Sequence, residues 1–232
     1  MTATAQRIMV WWTISFMLIF GFTYYFLIGM LPLPPATWTP NEVAAFYNEN
    51  AFRIRLGAMI LSWTSAFAVP IYVVIAVQMA RLEKGVPIWS ILQLVGGAMM
   101  TIFLVLPPVF WGIAAYNPGR DPQVTAAIHE IANLLLTTTD QYFIFQMVAL
   151  AWVSLSQKED PLSPFPRWIG YFTIWGALMF ELGAIAFLPK TGPFAWNGLF
   201  VFWFPFCIFG TWISVLAWSL LRAINRQEAS AA

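Results

Sequence analysis

The residues best able to do chemistry crowd into one stretch, HEIANLLLTTTDQYFIFQ, residues 129–146. At 100° per residue on a helix, His129, Asn133, Thr137 and Asp140 fall within an arc of about 80°. Glu130 and Gln141 lie beside that arc. In an apolar chain such a polar stripe is unfavourable against lipid, so it is expected to face protein or water. A second acid, Glu181 in FELGAIAF, stands eight residues before Pro189, about 12 Å inside that edge at helical rise. Pro107-Pro108 and Pro205 fall at a comparable depth, and each proline removes a backbone donor and frees a carbonyl. Together these features predict an outward-facing polar pocket lined by Asp140, Glu181, His129, Glu130, Asn133, Thr137, Gln141 and Asn197. Arg53, Arg55, Arg120 and Lys190 are its candidate charge partners.

Three chemistries fit that pocket. It can bind or transport a hydrophobic or amphipathic small molecule or lipid. It can be a polar seam in an accessory or scaffolding subunit of a larger membrane complex, the acids being neutralised by arginines. Or Asp140 and Glu181 can work as acid and base on a lipid-like substrate, which requires both to reach it, within about 10 Å of each other. The rest of the chain narrows the field. His129 is the only histidine and Cys207 the only cysteine, so multi-histidine and cysteine metal clusters within one chain are excluded. No phosphate-binding glycine loop, nucleophile elbow or zinc-protease motif occurs, and no cofactor is implied. No lysine lies mid-span, which disfavours a retinal Schiff base. The formal charge of +1 leaves no electrostatic footprint for nucleic acid.

The elements that must position these residues are membrane helices. Of 232 residues, 60% are hydrophobic and 9% charged, against about 25% charged in soluble domains. The apolar runs predict one all-α transmembrane domain with six spans, about 8–30, 54–81, 88–115, 134–157, 167–189 and 195–223, each long enough for roughly 30 Å of hydrocarbon. The first run is expected to be a retained span, too long for a signal peptide. Seven lysines and arginines flank the side of the termini and four the other, which favours cytoplasmic termini. Trp11, Trp12, Trp89, Trp168 and Trp218 read as interface anchors on one side, Trp111 and Trp196 on the other. Thr39, Pro40 and Glu42 predict a capping box opening a short helix, about 40–52, that lies on the membrane and runs into span two. Glu49 and Arg53 are spaced to pair within it. Asp121-Pro122 caps a helix running to Ser156, long enough to stand above the bilayer or to break near Asn133. Ala58, Ser62 and Ala66 form a small-residue row suited to close helix packing.

FYNENAFRIRLG (46–57), FPRWIGY (165–171) and KTGPFAWNG (190–198) resemble a family of small multi-pass bacterial membrane proteins, found in actinobacteria and some proteobacteria, to which no activity is attached. The resemblance implies this topology in a bacterial inner membrane and carries over no site residue. The expected partners are membrane lipid, a hydrophobic small molecule, and a membrane-protein partner or a second copy.

Overall fold

Proline, threonine and glycine decide where the helices of this chain bend. The computed structural model describes residues 2–157 and 160–231, apart from the side chains of Asp140, Tyr142 and Ala231. The described residues form helices and short loops with no strand. Helix α1, Ala3–Phe22, passes into a π-helical turn, Thr23–Ile28, that Gly29 ends at φ 71°, a backbone angle glycine adopts freely. Helix α2, Pro40–Thr64, opens on the expected capping box. The Glu42 N–H donates to the Thr39 hydroxyl at 3.4 Å, and the Thr39 N–H to the Glu42 carboxylate at 2.7 Å. A 3-10 turn, Ser65–Ala68, leads into α3, Val69–Ala80. Pro70 enforces that turn, because it has no N–H and its ring would clash with the carbonyl four residues back. The Thr13 hydroxyl of α1 satisfies one carbonyl there, Phe67 O, at 3.0 Å.

Residues 40–52 are the first turns of a longer helix, not a short helix of their own. No proline or glycine interrupts residues 41–56, so the helix continues straight into the span. Pro40–Ala80 covers 41 residues, about 60 Å at helical rise and twice the hydrocarbon thickness. Its first half exceeds the length a span needs and extends toward the side away from the termini, which we call distal. Its buried face, Val43, Ala44, Tyr47 and Ala51, packs on α5, Pro122–Thr138, rather than on lipid. Asp121 caps α5, accepting from Gln123 N at 2.8 Å and Val124 N at 3.3 Å.

The run to Ser156 does break, but at Thr139 instead of Asn133. Thr137, Thr138 and Thr139 turn their hydroxyls back onto the carbonyls of Asn133, Leu134 and Leu135 at 3.0, 2.7 and 2.6 Å. Such back-bonding competes with the helical ladder. A 3-10 turn, Asp140–Phe143, comes next, then α6, Ile144–Ser156. Helix α4, Ile88–Tyr116, keeps Pro107 and Pro108 inside it. Helix α7, Arg167–Phe180, tightens into a 3-10 turn, Glu181–Phe187. A π-helical turn, Leu199–Trp203, precedes α8, Phe204–Ala231.

Five segments are long and apolar enough to cross a membrane, and α6 is a shorter apolar helix. Each packs against the next, and α1 against α8 closes the ring. Gly96 and Gly97 let α4 approach closely: a Cβ there would stand 2.8 Å from the Gln146 nitrogen and 2.5 Å from the Tyr72 ring. Of the small-residue row, Ala58 meets Gly112 of α4, while Ser62 and Ala66 are exposed. At the terminal side, the Gln78 side-chain amide donates to Gln6 at 2.7 Å and exchanges bonds with Gln227 at 3.1 and 2.9 Å. Arg7 pairs with Glu228 and donates to Asn225 at 2.9 Å. Both chain ends thus meet on one side.

Candidate functional site

The polar stripe is present, and its upper part is a closed network. His129 is 1% exposed. Its Nδ1 lies 2.9 Å from the Tyr47 hydroxyl and its Nε2 2.8 Å from Asn133 Nδ2. Trp111 Nε1 donates to Asn133 Oδ1 at 3.2 Å. An indole N–H can only donate, so it orients the Asn133 amide with its oxygen toward Trp111. The Asn133 NH₂ then faces Nε2, which must accept, and the ring proton sits on Nδ1, donating to the Tyr47 oxygen. Tyr47 and Trp196 rings stand edge-on to the imidazole at 5.7 and 5.8 Å, and Trp38 stacks at 6.4 Å. Trp196 Nε1 donates to Pro34 O at 2.8 Å, tying the last distal loop to the first. Burial pulls the His129 pKa down from 6.5 to about 4. Both ring nitrogens are occupied, so this histidine is a keystone of the distal cap rather than a free base. Trp111 and Trp196, 0% and 5% exposed, are buried there and are not interface anchors. Trp11, Trp12, Trp168 and Trp218 are exposed, as anchors should be.

The other expected site residues separate. Glu130 leaves the stripe and meets Lys190 at 3.4 Å in an exposed ion pair. Arg53 donates to Phe26 O at 2.5 Å and to Asn50 at 3.2 Å instead of pairing with Glu49. Arg55 bonds Ala51 O at 3.3 Å and Arg120 bonds Ile113 O at 3.0 Å. None of these cations meets Glu181, which is exposed on the outside of the ring between α6 and α7. The turn holding Asp140 packs against the turn that Glu181 opens, while the Asp140 side chain lies outside the described residues. Asn197 is half-buried in the distal turn after Trp196. The Gln141 Nε2 is buried without a hydrogen-bond partner among the described residues.

Thr137, the inner end of the stripe, reaches a cavity of about 170 Å³ in the middle of the ring. Aromatic rings wall it: Phe20 from α1 and Tyr24 from the π-helical turn after it, Phe103 from α4, Phe180 from α7, and Phe202, Phe206 and Phe209 from the last segment. Among the described residues no charged side chain lines it, and Tyr24 and Thr137 are the polar ones. The Tyr24 hydroxyl is buried with no hydrogen-bond partner among the described residues. The prolines converge here. Pro107 and Pro108 release the carbonyls of Phe103 and Leu104 four residues back, both wall residues, and Pro205 is itself in the wall. The cavity has an edge on the lipid-facing surface between α1 and α8, where Met17, Gly21, Phe206 and Gly210 are part-exposed. A Cβ at either glycine would meet nothing within 4 Å. The aromatic wall was hidden in a chain where phenylalanine is everywhere; only the prolines signalled it.

A closed helical ring with an apolar core defines a multi-pass membrane protein. No protein-family model, curated protein or solved structure matches the chain.

Proposed function

We propose that this protein binds or carries a neutral hydrophobic or amphipathic small molecule, taken from the bilayer between α1 and α8 into the central cavity. The observation that carries this reading is the aromatic cavity, without a charged side chain among its described lining and with an edge on lipid. Left empty, about 170 Å³ costs on the order of 4 kcal/mol at roughly 24 cal/mol per Å³. An occupant that fills it recovers that energy. A molecule arriving from lipid gains nothing from leaving water, so selection rests on shape, dispersion and hydrogen bonding. The Tyr24 hydroxyl favours a ligand with a carbonyl or hydroxyl group, and the absence of a cation among the described wall residues disfavours a carboxylate or phosphate inside. The lysine and arginine asymmetry supports cytoplasmic termini, and the resemblance of 46–57, 165–171 and 190–198 supports a bacterial inner membrane.

A fatty alcohol carrying a photoactivatable diazirine, incorporated into nanodiscs with the full chain, tests the reading. Labelling is expected on the cavity faces of Met17–Tyr24 and Phe202–Gly210, and Gly21→Trp with Gly210→Trp is expected to abolish it. Labels confined to the lipid-facing Leu18, Phe22 and Cys207, unchanged in the double variant, would overturn it.

A further inference from the structure

Glu181 presents a separate problem, on the other side of α7 from the cavity. From Arg167 to Glu181 is 14 residues, about 21 Å of helix. The six residues from there to Phe187 add about 12 Å at 3-10 rise. The carboxyl group therefore sits well inside the hydrocarbon, exposed on the outer surface. It makes no hydrogen bond or ion pair with any described residue. Its surroundings are an apolar groove of about 230 Å³ between α6 and α7, walled by Met147, Val148, Ala151, Ile174 and Leu178. An ionisable group facing lipid is costly and calls for a partner.

No described residue supplies that partner. The described lysines and arginines lie in loops or away from the middle of the membrane segments, so a second copy brings none of them to this depth, and a two-fold pair would set Glu181 against Glu181. Lipid ammonium groups stay at the headgroup level. Ala151 and Ala177 in the groove are small side chains that permit close helix approach at those points. We propose that the α6–α7 face around Glu181 is the seat of a transmembrane helix from a second polypeptide, one carrying a lysine or arginine at this depth to pair with the carboxylate. Apolar packing in the groove gives the contact its area, and the ion pair gives it register and selectivity.

The exposed Cys207 provides a labelling position for the test. The full chain, labelled there and placed in phosphatidylcholine nanodiscs, is mixed with a synthetic leucine-alanine membrane helix bearing one lysine at the matching depth. A control helix has leucine in its place, and energy transfer reports association. The lysine helix is expected to bind at least tenfold more tightly than the control, and Glu181→Leu to erase that difference. Because the position faces lipid, this substitution leaves the fold intact, which an unchanged melting temperature verifies. Equal binding of both helices, or a preference that survives Glu181→Leu, overturns the proposal. So does Glu181-dependent self-association in the absence of peptide, which would assign the face to a second copy.

Discussion

At the scale of single residues, protonation of His129 is coupled to the integrity of the distal cap. A proton added at Nε2 would point at the Asn133 NH₂, which Trp111 prevents from turning, so donor would face donor. The folded protein therefore resists the charge, and its histidine titrates near 4, against 6.5 when unfolded. Above 6.5 both states are neutral and the cap is at full strength. As pH falls from 6.5 to 4 only the unfolded state takes the proton, and stability drops; below 4 both states are charged and the loss is complete. The loss amounts to roughly 3 kcal/mol. Denaturation of the purified protein at stepped pH is expected to show this decline, and His129→Gln to flatten it. Tyr24 behaves differently. With its hydroxyl unpartnered, Tyr24→Phe relieves a buried group, and thermal stability without ligand should hold or rise by about 1 kcal/mol. Retention of a carbonyl- or hydroxyl-bearing probe in the cavity should fall in the same variant. A lower melting temperature with undiminished probe binding would mean that the hydroxyl serves packing alone.

At the scale of elements, the break at Thr139 places the aromatic centre. Phe143, 0% exposed, sits between Phe103 at 5.3 Å and Phe180 at 5.1 Å. An unbroken helix would carry that ring round to another face. Replacing Thr138 and Thr139 by leucine removes two of the hydroxyls that compete for helix carbonyls. The amides of residues 140–143 should then exchange more slowly with solvent deuterium as the ladder extends. Melting should still fall, by about 2 kcal/mol, because Phe143 loses its slot. The all-helical class, the capping box, the Asp121 cap and the burial of His129, Asn133 and Thr137 are legible in the sequence from periodicity and cap chemistry. The break point is not, because threonine hydroxyls back-bond only where the helix can lose a turn, which tertiary packing decides. Glu181 is a parallel case: its depth is legible from span length, but the side of α7 it occupies depends on how α6 and α8 flank it.

At the scale of the whole molecule, the ring closes only where the first segment meets the last, and the closure is uneven. Near the termini, Gln78 of α3 bridges Gln6 of α1 and Gln227 of α8, and Gln227 also donates to Leu162 O at 2.9 Å. Nearer the middle, Gly21 and Gly210 leave the same pair of helices open to lipid. A tight end and a loose middle make the lipid-facing edge of the cavity a consequence of ring closure. Gln78→Met keeps most of the side-chain volume while removing both amide bonds to Gln227. It leaves the half-buried Gln227 with fewer partners, at a cost of about 1 kcal/mol. The loss should appear as a lower melting temperature, and also at a distance: with the clasp gone α1 and α8 can part further, so diazirine labelling at Phe206–Gly210 should rise in Gln78→Met. Lower stability with unchanged labelling would show instead that the glutamine clasp and the cavity edge are independent, each held by its own contacts.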